Sequence, residues 1–292
     1  MTWGRLLLWA CSLGGLGFSL AAAWFGPPAL EVVAAVFLAY ATVIFAGVFF
    51  PRLGMYATVF CKAPAAERQV ALTFDDGPHP QTTPAVLDIL EQHEAVATFF
   101  VVGHKVDKYP EVVRQIVMRG HALGLHGYQH DRLFALKPPA YVTADIEKTR
   151  DAVERACGLR PALFRPPIGF VSPRTAAGAR RAQAPLIGWS ARAYDGTGAV
   201  SPERVVRRIE AGLRSGAIVL LHDAAERDDF TPAAVEALPR ILEALERRGL
   251  RSVTVEQLLK LETNGPDRAP SAALGKRALP HTDETRKRLD AG

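Results

Sequence analysis

The sequence predicts an α/β protein: a deformed (β/α) barrel of about seven strands, preceded by two transmembrane helices. Three observations predict it. After Lys62, short apolar runs alternate with amphipathic stretches, and the apolar period switches between about two and about 3.6. Residue types suited to catalysis recur where the apolar runs end, as they do at the carboxyl ends of barrel strands. Before Arg52, residues 6–50 hold a single charged residue, Glu31.

The apolar region is divided by Gly26-Pro27-Pro28 into segments 6–25 and 29–50. Each is about 20 residues, the length that crosses a hydrocarbon core of about 30 Å. Trp24 and Phe25 flank the break, where interfacial aromatics sit. Ala21-Ala-Ala23 would also fit a signal-peptide cleavage site, but a second apolar stretch follows at once, which favours a helical hairpin. Residues 1–62 are therefore expected to form a membrane anchor in an inner membrane of bacterial type. Arg5, Arg52, Lys62 and Arg68 share one side of that hairpin, a thin bias toward the cytoplasmic side. The side on which the rest of the chain lies stays open.

Residues 63–261 are expected to be one catalytic domain. Strand candidates are 70–74, 97–102, 122–125, 163–164, 186–189, 218–221 and 251–255. Helix candidates are 84–92, 110–119, 143–156, 172–182, 202–213 and 231–248. Thr143 and Ser201 are suitable N-caps, Pro202 suits a first helical turn, and Gly216 and Gly249 suit helix ends. Regular strand–helix alternation implies a parallel sheet. Residues 262–292, rich in Pro, Gly, Ala and mixed charge without periodicity, are expected to be a disordered tail.

Composition excludes some classes. The net charge is +5, but the arginines are scattered, so no nucleic-acid partner is expected. The three cysteines, Cys11, Cys61 and Cys157, show no CxxC spacing, so neither a disulfide framework nor a cysteine zinc site is indicated.

The chemistry lies in ordered motifs. Thr73-Phe-Asp-Asp-Gly77 closes the first strand, and adjacent carboxylates repel unless a cation takes one of them. Strand alternation would aim Asp75 and Asp76 in different directions, one toward a metal and one toward substrate. His126-Gly-Tyr-Gln-His130 offers two imidazoles four residues apart. The residue after His126 is Gly127 rather than Glu, so a base must come from elsewhere. Asp76 with His126 and His130 would leave coordination positions open for water and substrate. Arg165-Pro-Pro-Ile-Gly169 and Leu220-Leu-His222 follow later strands. His79 stands beside the acids, as a cleft residue or part of a rigid turn, while His93, His104, His121 and His281 read as ordinary.

Taken together, about residues 69–259 resemble a polysaccharide deacetylase with the NodB homology domain, carbohydrate esterase family four. The resemblance implies a metal-dependent hydrolase of carbon–nitrogen bonds that removes N-linked or O-linked acetyl groups from a carbohydrate. The candidate substrates are an N-acetylated polysaccharide such as peptidoglycan and, since the anchor favours a substrate near the membrane, a lipid-linked glycan. In that family's pattern Asp75 is the general base, Arg165 the arginine that tethers it, and His222 the general acid oriented by Asp195. Asp76, His126 and His130 hold the divalent metal, usually zinc, with cobalt or nickel accepted. Ile168 supplies a backbone N–H to the oxyanion, and Leu220 is the apolar wall of the acetyl pocket. Four positions depart from the pattern: Gly127 for Ser or Thr, Ile168 for Tyr, Gly196 for Trp, and Arg192 where an acid is common. They leave the machinery intact and bear on the choice of glycan and acyl group. The alternatives are a hydrolase of a small non-sugar amide, since a fold does not dictate a substrate, and an inactive carbohydrate-binding protein.

Overall fold

A computed structural model describes residues 2–63 and 66–263. Residues 264–292 lie outside the described residues, and with them His281 and nearly all of the expected tail. Helices α1 (Trp3–Phe25) and α2 (Leu30–Phe49) are both long and apolar enough to span a membrane, and their side chains are almost entirely unburied by the protein. The chain returns beside its start, because Thr2 Oγ1 donates to the Gly54 carbonyl at 2.8 Å.

In chain order there follow β1 (Val59–Phe60), β2 (Gln69–Asp75), α3 (Thr82–Gln92), β3 (Ala97–Val101), α4 (Gly103–Lys108) and α5 (Pro110–Met118). Next are β4 (Ala122–Leu125), α6 (Pro139–Cys157), α7 (Pro173–Arg181), β5 (Leu186–Ile187) and β6 (Ala191–Arg192). The last are α8 (Pro202–Gly212), β7 (Ile218–His222), α9 (Ala233–Arg247), β8 (Arg251–Ser252) and α10 (Val255–Thr263). Parallel strands run in the order β4-β3-β2-β7-β6, with β8 beside the start of β2 and β1 paired to β5.

Strand β2 is central and buried on both faces, so it reads as a continuous apolar run. Its period of two sorts the side chains. Val70, Leu72 and Phe74 enter the large core shared with the surrounding helices, where α9 adds Ala234, Ala237, Leu238, Ile241 and Leu245 at helical spacing. Ala71 joins a second core with Phe100, Leu163, Ile187, Ile218 and Leu258. Thr73 and Asp75 share the face of Ala71, and that face carries the polar interior described below.

Several expected boundaries change. The strand expected at 163–164 is reduced to single bridges from Phe164 to Leu125 and Leu186. Pro166 and Pro167 follow at once and cannot donate to a ladder. The strand expected at 251–255 stops at Ser252, because Thr254 and Gln257 form a reciprocal capping box that starts α10. Helix α6 starts at Pro139, a favourable first-turn residue, and Thr143 is not its cap but donates to the Pro139 carbonyl inside the helix. Ser201 does precede α8, without a side-chain capping bond. Gly249 follows the end of α9 with φ 61°, whereas Gly216 lies beyond the end of α8, three residues after its cap Leu213. The short elements β1, β6 and α4 have too few residues to show a period.

Candidate active site

Parallel register brings the motifs to one end of the sheet. Asp75, the last residue of β2, pairs with His222, the last of β7, and with Phe100 of β3. Asp76 then leaves the pleat with φ 73°. This left-handed turn overturns the alternation expected for the two acids. Both converge on one imidazole: Asp75 Oδ2 lies 3.7 Å and Asp76 Oδ1 3.4 Å from His126 Nε2. His130, also left-handed at φ 51°, brings its Nε2 to 3.1 Å from Asp76 Oδ1. Asp76, His130, Ile168 and Tyr194 all carry left-handed non-glycine backbone, so conformational cost is concentrated at this rim.

Asp76, His126 and His130 are all buried, with one ligand atom from each lying within 4.8 Å of the others. Asp76 Oδ1 has no hydrogen-bond partner there. A buried carboxylate oxygen facing two imidazole nitrogens suits a divalent cation, and the donor set fits one. The His126 Nδ1 donates to the Arg165 carbonyl at 2.8 Å, which leaves Nε2 as the free donor atom toward Asp76. Burial raises the Asp76 carboxyl, but the adjacent His126 imidazole and the nearby histidine charges hold it well below the usual carboxylate range.

Among the described residues, Arg165 is the largest fully buried side chain. Its Nη1 donates to Asp75 Oδ1 at 2.6 Å and to Thr73 Oγ1 at 2.8 Å, and its Nη2 to the Gly188 carbonyl at 3.0 Å. The guanidinium lies over the Phe100 ring at 4.1 Å. Gly124 makes that placement possible, since a Cβ there would fall 2.5 Å from the Phe100 ring.

On the opposite side of the acids, Asp195 is buried and grips His222 twice. It accepts from the His222 backbone N–H at 2.8 Å and meets Nδ1 at 3.1 Å. Burial opposes the imidazolium, yet Asp195 prevails and pushes the His222 pKa up to about 10. Leu220 is buried two residues before His222, on the same face. Ile168 is 41% exposed with φ 61°, in a turn after Pro166-Pro167. All nine residues singled out in the sequence therefore lie at or just below one end of the sheet.

The departures have local reasons. Gly127 has φ 79°, and a side chain there would meet Pro167 and the Asp145 carboxylate. A Cβ on Gly196 would come within 2.9 Å of the His222 ring, so no larger residue fits against this His222 position. Arg192 stacks on Tyr194 at 3.6 Å. His79 serves a turn: its Nδ1 accepts from the Gln81 and Thr82 backbone N–H groups.

Two residues were not singled out from the sequence. Glu226 Oε1 lies 3.6 Å from His130 Nδ1, and Arg132 clasps the same carboxylate with two nitrogens. The loop bearing Glu226 is held by buried Lys105, which donates to the Ala225 carbonyl at 2.8 Å and to Asp228 at 2.6 Å. Asp223 is fully buried, accepts from Thr83 Oγ1 at 2.5 Å, and is pushed up to about 7 by burial. Its place directly after His222 was visible in sequence, but its burial was not.

Comparison with known proteins adds a family. The family model described as polysaccharide deacetylase matches residues 62–187. A peptidoglycan-N-acetylglucosamine deacetylase of Bacillus cereus is 37% identical over 202 residues, which cover 68% of this chain and 92% of that one. A chitooligosaccharide deacetylase from a Bradyrhizobium strain is 37% identical over 200 residues, 65% of this chain and 90% of the other. Among solved structures, a family 4 acetyl xylan esterase from Clostridium thermocellum, in complex with a cobalt ion, aligns with a TM-score of 0.61 at 32% identity. That alignment covers 66% of this chain and 91% of the esterase.

Proposed function

Because this chain belongs to the polysaccharide deacetylase family, carbohydrate esterase family four with the NodB homology domain, we propose that it is a membrane-anchored, metal-dependent N-deacetylase of an N-acetylated carbohydrate. The observation that carries this reading is the buried Asp76–His126–His130 cluster with the Asp75–Arg165 pair on one side and the Asp195–His222 pair on the other. Relatives that act on peptidoglycan N-acetylglucosamine and chitooligosaccharides support the substrate class. Residues 1–62 serve as the anchor and 63–261 as the catalytic domain. The bridges of Phe164 to both of its neighbours support reading the sheet as a deformed barrel.

Asp76, His126 and His130 would hold a divalent cation such as zinc or cobalt, which would supply Lewis-acid polarisation of the acetyl carbonyl and a lowered pKa for the nucleophilic water. Asp75 accepts the proton of the attacking water, and Arg165 fixes the carboxylate that does so. The Ile168 backbone N–H, presented by its left-handed turn, donates to the developing oxyanion. Leu220 bounds the acetyl methyl. His222, with Nδ1 engaged by Asp195, donates from Nε2 to the departing amine.

The test is acetate release by the full chain in detergent with added zinc or cobalt, offered N-acetylglucosamine oligomers and peptidoglycan. Release that His126→Ala abolishes is expected. Metal-loaded, folded protein that releases no acetate from any N-acetylated glycan would overturn the reading.

A further inference from the structure

The membrane hairpin does more than tether. The last turn of α2 docks on the loop that carries Ile168: the Val171 backbone N–H donates to the Val48 carbonyl at 3.3 Å, and Phe49 meets Phe170 edge-on at 4.8 Å. Val48 is in the last turn of α2, where carbonyls lack helical partners, so the loop supplies one. Phe170 is two residues from Ile168, at most about 7 Å of chain. The exit from α2 is also braced. Tyr56 Oη donates to the Ile44 carbonyl at 2.7 Å, and Gly47 lets Met55 approach where a Cβ would clash. The mouth of the site is thus held beside the end of a membrane-length helix.

A second observation concerns the rim. Leu133 and Leu136 are 61% and 64% exposed in the segment after His130. That segment is joined to the Ile168 loop through α7, since Arg174 in the first turn of α7 donates to the Leu136 carbonyl at 2.7 Å. Ile168, Leu133 and Leu136 are thus exposed apolar side chains on two segments tied together through α7, accompanied by exposed Arg174 and by Arg132, whose charge is paired with Glu226. Apolar side chains interleaved with cations suit the headgroup region of an anionic bilayer.

Resting on the deacetylase reading above, we propose that this rim sits in the bilayer interface and that the substrate is an N-acetylated sugar carried on a lipid in the same leaflet. A lipid carrier delivers the acetamido group at the height of the site, and confinement to one surface raises its effective concentration. A long soluble polymer would instead have to pass between rim and bilayer.

The experiment reconstitutes the full chain with zinc in vesicles of phosphatidylethanolamine and phosphatidylglycerol. It compares a polyprenyl-diphosphate-linked N-acetylglucosamine in those vesicles with a soluble N-acetylglucosamine tetramer. A kcat/KM more than about tenfold higher on the lipid-linked sugar is expected, and the Leu133→Asp/Leu136→Asp double variant should remove most of that advantage while leaving the tetramer rate within about twofold. Equal or better use of the tetramer, or a double variant that keeps the advantage, would overturn the proposal. A nitroxide on Leu136→Cys, with Cys11, Cys61 and Cys157 replaced by alanine, gives a readout independent of turnover. Collisions with oxygen exceeding those with a water-soluble nickel chelate are expected, and the reverse would overturn the rim placement. Interfacial burial without acetate release from either sugar would sink the deacetylase reading and its lipid-linked substrate, and leave the rim at the membrane.

Discussion

Arg165 and His126 are joined backbone to ring: the Arg165 carbonyl accepts from His126 Nδ1 at 2.8 Å, while the Arg165 guanidinium donates to Asp75 at 2.6 Å. One buried residue therefore orients both the candidate base and a candidate metal ligand. It can do so because Phe164 bridges Leu125, which places Arg165 alongside His126 at the strand ends.

Arg165→Met should leave Asp75 buried without its cation. Breaking a buried pair this way costs about 3–5 kcal/mol. The expected outcome is a lower thermal unfolding midpoint for the full chain in detergent. An unchanged midpoint would remove Arg165 from its structural role.

Asp75→Asn should retain the cation and lose turnover by roughly 10²–10⁴-fold, the range associated with a positioned base. Metal content by elemental analysis and acetate release are read on the same sample. Loss of metal along with activity would instead assign Asp75 to the ligand set.

Glu226→Gln should weaken cation affinity by about 10–100-fold, the usual effect of losing an outer carboxylate partner of a ligating histidine. Competition with a chelator of known affinity measures it. The effect is expected on His130 alone, because His126 is oriented by a backbone carbonyl that mutation of Glu226 leaves in place.

Asp195→Asn should move the alkaline limb of the pH–rate profile toward lower pH. Burial alone would depress His222, and Asp195 raises it to about 10. A protonated acid is lost as pH rises through its pKa, so removing Asp195 brings that loss to lower pH; a cation bound at Asp76 lowers the limb in both proteins. The same sign holds for stability. The pair's contribution is full below the unfolded histidine value near 6.5 and fades as pH rises toward 10. The variant's stability deficit should shrink over that window, measured by unfolding midpoints at several pH values.

The ends of the apolar runs were legible because burial on both faces of a parallel strand leaves a continuous apolar run, as in β2 and β7. Runs that terminate in Asp75 and His222 mark where strands stop and solvent begins. Strand 163–164 was legible as a position but not as a bridge, since its pairing depends on partners far away in the chain. The end of β8 was misread because the apolar run continues through Val255, whereas the Thr254–Gln257 capping box decides the conformation.

By itself the sequence determined the alternating α/β plan, the two membrane-length helices and the residue types of the site, since these follow from local periodicity and from motifs only a few residues long. Only the tertiary structure decided that Asp75 and Asp76 converge on His126 and that Glu226 stands behind His130. It alone also placed the end of α2 against the Ile168 loop. Those relationships join residues from about 50 to more than 120 positions apart. They are set by strand register, by left-handed turns and by packing, and no local pattern encodes such contacts.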